Sequence, residues 1–230
     1  MATFHCFNFK LMAPLLAVRL FNFSSPSSSS SSSCSQLVFY ASSSLKISTS
    51  PIMDHQESTT ASDSAPSNNN SHRFSDRILP HLLRLYGSCA TSQDFEIYAP
   101  NASFEDPLMR AHGVKQIKSA FYTLPKIFKE SKIVEYTVEE NMVSPGKGEI
   151  LIDNKQYYKF MGKHIDMISL IKLYVDDGKI VRHEDWWDKK PISNRETVKV
   201  PLLGRAAEMS RRGSMLLTHL LMGFGKDPRV

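Results

Sequence analysis

The run His183-Glu-Asp-Trp-Trp-Asp188 concentrates several of the side chains that could do chemistry. A strand turns successive side chains to opposite faces. Alternation therefore places Val181, His183, Asp185 and Trp187 on one face and Ile180, Arg182, Glu184 and Trp186 on the other. A His and an Asp two residues apart on one strand face stand ~7 Å from each other, close enough to share a ligand or a proton passed through water. The competing reading is a hydrogen-bonded strand end that locks Trp187 and the segment after it. A second candidate is Glu105-Asp106-Pro107, where an Asp before Pro ordinarily closes a turn with its own carboxylate. His112 and His164 fall at a loop and a strand end and read as solvated. No spacing suggests a structural zinc site, and no phosphate-cradling glycine loop, nucleophile elbow or dinucleotide fingerprint is present. Neither a metal nor a cofactor is expected.

These residues need a frame. Ser75 reads as the N-cap of a helix over residues 76–88, with Ile78, Leu82, Leu85 and Tyr86 at helical spacing and Pro80 in the first turn. A short helix over residues 92–98 stops before Pro100, and a strand over 102–106 ends at Pro107, which lacks a ladder N–H. Gly113 starts a third helix over 114–128, with Val114, Ile117, Phe121 and Leu124 on one stripe and Pro125 shortening its last turn. From Ser131 the period changes to two, predicting strands over 133–142, 149–161, 164–175 and 179–187. Turns fall at Ser144-Pro-Gly-Lys-Gly148, Gly162-Lys163 and Asp176-Asp-Gly178. The Tyr157-Tyr158 pair reads as ordinary sheet surface and core. Three helices followed by successive antiparallel strands predict an α+β layer arrangement, with helices packed on one curved sheet over residues 74–190.

The ends of the chain differ from this middle. Residues 1–52 contain no Asp or Glu and only Lys10, Arg19 and Lys46 as basic side chains, with unbroken serine from Ser27 to Ser33. So simple and polar a segment buries too little apolar surface to offset its ordering entropy. Its composition is that of a transit peptide, chloroplast before mitochondrion. A secretory signal is the competitor, but Pro14 and Arg19 interrupt the apolar stretch from Leu11 to Phe23; a disordered tail with no address is the third reading. Residues 53–73 form a polar linker. The net charge of +5 falls to +2 without residues 1–52, so nucleic-acid binding gains no support from it. Cys6 and Cys34 lie in the leader, which leaves Cys89 alone in the rest, as in a reducing compartment. The extension over 191–230 holds a candidate helix, 201–224, with leucines interleaved by Arg205, Arg211 and Arg212. Its apolar stripe is expected on the outer face of the sheet or against Trp186. Partner binding, dimerisation and attachment to a membrane surface are the alternatives.

The stretches Tyr98-Ala-Pro-Asn-Ala-Ser-Phe-Glu-Asp-Pro107, Gly113-Val-Lys-Gln-Ile117 and Phe121-Tyr122 resemble the nuclear transport factor 2-like superfamily, including ketosteroid isomerase and the SnoaL-type polyketide cyclases. Leu173-Tyr-Val-Asp-Asp-Gly-Lys-Ile180 and the His–Trp–Asp ending look closest to plant members of it. The resemblance implies a cone whose cavity opens at one end, lined by Phe104, Val181 and Trp187. It places Asp106 where the isomerase has its general base and His183 and Asp185 on the cavity wall. Tyr86 is the weaker counterpart of the oxyanion-hole phenol. The isomerase's second oxyanion donor falls near Leu170 or Ile171, both apolar, so steroid isomerisation is not expected. The superfamily contains enzymes, binding proteins and dimer modules, so function rests on the site. The leading expectation is a module that binds a small apolar ligand or a protein, with a homodimer through the sheet as one form. The alternatives are a small acid–base enzyme acting on an apolar carbonyl compound and a membrane-peripheral assembly factor.

Overall fold

In the computed structural model, residues 43–45 and 73–228 are described. The remaining residues of the leader and linker, and with them the transit-peptide and linker expectations, lie outside the described residues. The elements are β1 (Ser43–Leu45), α1 (Phe74–Tyr86), a 3₁₀ helix (Ser92–Ile97), β2 (Tyr98–Glu105), β3 (Arg110–His112), α2 (Val114–Ile127), β4 (Glu130–Ser144), β5 (Lys147–Phe160), β6 (Lys163–Asp176), β7 (Lys179–Trp187) and α3 (Pro201–Leu221). The strands form one sheet in the order β1-β4-β5-β6-β7-β2-β3. The fold is the expected α+β cone, with two parallel joints in an otherwise antiparallel sheet: β2 beside β7 and β1 beside β4. The β1 backbone pairs Ser43–Leu45 with Tyr136–Val138, in a segment whose composition predicts no structure. The open edge of β4 offers unpaired N–H and C=O groups to any extended segment in reach.

Long antiparallel hairpins make the wall of the cone. Between β6 and β7, Asp177 and Gly178 adopt positive φ of 48° and 66°, as a two-residue hairpin with right-handed twist requires. Inward side chains run from an apolar tip (Ile150, Leu173) through Ile152 and Ile171 to a polar band of Asn154, Ser169 and Gln156, then to Tyr158 and Met167. Helices α1 and α2 close the inner face with Ile78, Leu82, Leu85, Ile117 and Phe121, which sit with the sheet residues in one core. A smaller cluster of Ile127, Phe128, Tyr158 and Met167 lies at the wide end.

Several local details differ from the sequence reading. The short helix is a 3₁₀ turn, its first residues held by Asp94, which accepts from the Thr91 N–H at 2.8 Å and is paired with Arg84 and His81. Strand β2 begins at Tyr98 and runs through Pro100; β3 is a short return strand that no periodicity marks. Cys89 is disulfide-bonded, which the expectation of a lone cysteine does not anticipate. Ser75 lies inside α1 rather than capping it. The cap comes from β4: the Glu140 carboxylate accepts the N–H of Phe74 at 2.9 Å and of Ser75 at 3.0 Å. An anion there satisfies two orphan donors and faces the positive end of the helix dipole.

The C-terminal extension is the largest correction. Helix α3 packs on α2 and β3, and its apolar stripe faces solvent rather than the outer sheet face or Trp186. Trp186 instead donates its N–H to Glu184 at 3.0 Å and lies under the Lys172 ammonium at 4.7 Å. What docks α3 is Met215, fully buried in the main core, together with charge. Arg211, 4% exposed, donates to Glu105 at 2.9 Å and to the Ser193 carbonyl at 3.1 Å, while Arg212 donates to the Arg110 carbonyl at 3.1 Å.

The Glu140 cap is testable. Glu140→Ala is expected to cost about 1–2 kcal/mol in denaturant unfolding. A change under about 0.5 kcal/mol, the scale of an ordinary surface substitution, would remove Glu140 from that role.

Candidate functional site

Strand β7 delivers the site, and a bulge decides how. The β6–β7 register slips between Tyr174 and Val175, which pair with Arg182 and Ile180 and leave Val181 as the extra residue. An unpaired residue resets the alternation. Ile180 is therefore fully buried in the core, and Val181 is only half-buried and does not line the pocket described below, contrary to what the resemblance implies. Beyond the bulge the expected face is kept, with His183 and Asp185 buried and Trp187 at the mouth.

Asp185 stands opposite Ile171, so the carboxylate enters the cone one strand away from the apolar position of β6. It is surrounded by donors. Tyr86 donates to Oδ2 at 3.0 Å, Trp187 at 3.3 Å and Gln156 at 3.4 Å, and Ser169 donates to Oδ1. Burial raises its proton affinity, and the bonds from Ser169, Tyr86, Gln156 and Trp187 oppose that rise.

His183 lies one layer behind the pocket wall. It is fully buried, with its ring against Phe104 at 4.9 Å and near Phe121 and Tyr98 at 6.1 Å. Desolvation depresses its pKa to about 3, so it stays neutral through the physiological range. Its tautomer follows from its neighbours. The Tyr86 hydroxyl proton goes to Asp185, so Tyr86 accepts from His183 Nε2 at 3.2 Å; Nδ1 is then bare and accepts from Tyr98 at 2.8 Å. The order is Tyr98, His183, Tyr86, Asp185, every proton pointing the same way. The expectation that His183 and Asp185 share one ligand is corrected accordingly: His183 reaches the cavity only through Tyr86.

Asp106 combines its two expected readings. Its Oδ1 closes a turn by accepting the N–H of Leu108 at 2.7 Å and of Met109 at 2.5 Å. The residue also lines the pocket, and its Oδ2 has no hydrogen-bond partner among the described residues. Burial, then the nearby Asp185 charge, push the Asp106 pKa up to about 7 against the pull of the two backbone bonds.

The pocket lies where the two apolar clusters meet. Its cavity volume is about 70 Å³. Tyr86, Phe104, Asp106, Asp185 and Trp187 line it as expected. Tyr158, read from sequence as ordinary sheet, also lines it, as do Phe121, Thr123 and Phe128. The alternation Asn154, Gln156, Tyr158 carried that signal, and only the curvature of the sheet converts "inward" into "pocket". Tyr158 donates to Gln156 Oε1 at 2.6 Å, and burial holds both phenols well above their ordinary pKa. The hydroxyls of Tyr86 and Tyr158 and the indole N–H of Trp187 therefore donate into the wall, whereas the Asp106 Oδ2 accepts no such bond among the described residues. No three His, Cys, Asp or Glu side chains among the described residues converge as a metal site would need.

The raised Asp106 pKa sets a pH dependence of stability. In the folded protein Asp106 holds its proton up to about pH 7, whereas an unperturbed carboxyl loses it near 3.8. The folded state thus binds the extra proton between these values, and this group's contribution to stability declines as pH rises through that window. Asp106→Asn is expected to flatten the decline in a pH series of unfolding free energies, gaining on wild type at about pH 8 and not at about pH 4. An unchanged slope would mean that the Asp106 carboxyl is not buried as described.

No protein-family model matches the chain, and no curated protein matches its sequence. Among solved structures the chain is similar to a nuclear transport factor 2-like protein from Anabaena variabilis, at 11% identity and TM-score 0.43 over 54% of this chain and 93% of that one. It is similar to a candidate polyketide cyclase from Xanthomonas campestris at 10% identity and TM-score 0.40, over 49% of this chain and 88% of the other. A candidate scytalone dehydratase from Novosphingobium aromaticivorans is similar at 14% identity and TM-score 0.41, over 49% and 80%.

Proposed function

We propose that this chain, a nuclear transport factor 2-like cone in fold, is a binding module for a small, largely apolar molecule carrying one hydroxyl or carbonyl group. The observation that supports this most is Asp106, one oxygen fixed by backbone N–H groups and the other open to an apolar pocket. Aromatic and aliphatic walls favour a flat apolar body. Below about pH 7 the protonated carboxyl donates to a carbonyl oxygen; above it the carboxylate accepts from a hydroxyl. Because Tyr86 and Tyr158 spend their protons on Asp185 and Gln156, no ready pair of donors awaits an enolate oxygen. Binding is therefore placed before catalysis.

A second reading, acid–base catalysis, is favoured by the same Asp106, whose pKa of about 7 suits a group that takes a proton from carbon and returns it. In that reading Asp106 removes a proton next to a carbonyl, the electrons move onto the carbonyl oxygen, and the proton comes back at the same or a conjugated carbon. The acid-free leader over 1–52 extends the proposal to a compartment, the chloroplast or alternatively the mitochondrion.

Native mass spectrometry of protein purified from its host and fluorescence titration with 2-naphthol are expected to show one small molecule per chain. Leu124→Trp, which fills the pocket, is expected to abolish binding; retained binding would sink the proposal. Catalysis is read separately, as deuterium wash-in from D₂O at the α-carbon of 2-tetralone. If it occurs, Asp106→Asn slows it by about 10²-fold or more; equal rates in the two proteins remove the second reading. For the leader, fluorescent protein fused to residues 1–52 should collect in chloroplasts of leaf protoplasts, and an evenly cytosolic signal would refute that.

A further inference from the structure

Helix α3 is packed inside out. Its buried positions include Arg211 and Thr218 beside Met215, while Leu202, Met209, Leu216 and Leu220 are 75%, 74%, 48% and 58% exposed. At 100° per residue Leu202, Ala206, Met209, Gly213, Leu216 and Leu220 form one stripe, which Phe224, 58% exposed, continues past the helix end. Over 21 residues the ridge is about 30 Å long. Leaving large apolar side chains in water while an arginine is buried is the reverse of what a solvated surface helix gains from.

The charges around the ridge are mostly basic, with Glu196 and Asp227 the exposed acids beside it. The exposed residues of α3 are apolar, small or hydroxyl side chains plus Arg205, and none is acidic. Its one acid, Glu208, is turned aside and held by Arg195 at 2.9 Å and Arg110 at 3.8 Å. Residues 191–228 carry six basic and three acidic side chains, against eighteen and seventeen in residues 73–190, so the positive excess of the described chain lies mostly in the extension. Lys199, Arg205 and Lys226 are exposed along and beside the ridge, and Lys115 is exposed on the adjoining start of α2.

We propose that α3 lies in the interface of an anionic lipid bilayer, with Leu202, Met209, Leu216, Leu220 and Phe224 in the acyl boundary and the flanking cations at the headgroups. A convex apolar ridge with a basic rim is the geometry of an interfacial helix, which sinks its apolar face into the headgroup boundary without crossing. Among the described residues no helix is long and apolar enough to span. Self-pairing of two such ridges would bring basic rims together, whereas an anionic surface neutralises them. This inference is independent of what the pocket binds.

The test is co-sedimentation of the full chain with large vesicles of phosphatidylcholine alone or with about one third phosphatidylglycerol. The full chain is expected to bind the anionic vesicles about tenfold more strongly than the neutral ones, and less as salt is raised. Leu216→Asp with Leu220→Asp, and separately Leu202→Asp with Met209→Asp, should each lower anionic-vesicle binding about tenfold, with circular dichroism and 2-naphthol binding unchanged. Equal vesicle binding by wild type and both variants would overturn the proposal, since attachment would then lie outside α3. So would absence of vesicle binding, including a wild-type dimer in light scattering that the substitutions convert to monomer, which would assign the ridge to a second copy.

Discussion

Asp185 sits deep in an apolar cone, where an ionised carboxylate loses its hydration and the protein must replace it. Four side chains from three strands and a helix, Ser169, Gln156, Trp187 and Tyr86, do so by pointing a proton at it. That requirement fixes much of the surrounding order. Tyr86, having given its proton away, accepts from His183, and His183 in turn accepts from Tyr98. The first helix, the last long strand and the parallel strand β2 are thereby tied by one directed series of bonds, and a histidine is held neutral in a ring of aromatic side chains.

The same requirement shapes what the pocket can offer. Donors turned toward Asp185 and Gln156 are not turned toward a ligand, so the cavity presents apolar walls and one open carboxyl oxygen, that of Asp106. The two carboxyls hold different roles because their neighbours differ. Asp185 is surrounded by side-chain donors, whereas Asp106 has two backbone bonds on one oxygen and the repulsion of Asp185 on the whole group. A selective binding site needs little more than this, and an enolising enzyme would need its donors rearranged.

The extension is governed by a different constraint. Glu105 lies on the outer side of β2, in register with Glu184 of β7, two acids side by side on a nearly dry face. Arg211 and Arg110 answer Glu105, and Arg182 answers Glu184. Because Arg211 comes from α3, the price of covering Glu105 is that the helix presents its leucines outward.

Much of this was legible in the residues. Alternation and helical spacing give α1, α2 and the four long strands close to their observed bounds, and the Asp–Gly turn is readable as composition. Periodicity determines that Asp185 and Trp187 share a face, and the resemblance implied that this face and Phe104 line a cavity, where they stand. What faces them is set by chain segments far away. The Glu140 cap on α1 joins residues 65 and 66 positions apart, the Tyr86 hydroxyl between His183 and Asp185 reaches across more than ninety, and neither leaves a local trace. The bulge at Val181 moved Ile180 into the core because its partner strand, not its own sequence, sets the register. Sequence alone determined the elements and the side chains they carry. Tertiary structure decided which carboxyl is satisfied, which is open, and which face of the last helix meets solvent, because those depend on desolvation and on partners that only folding brings together.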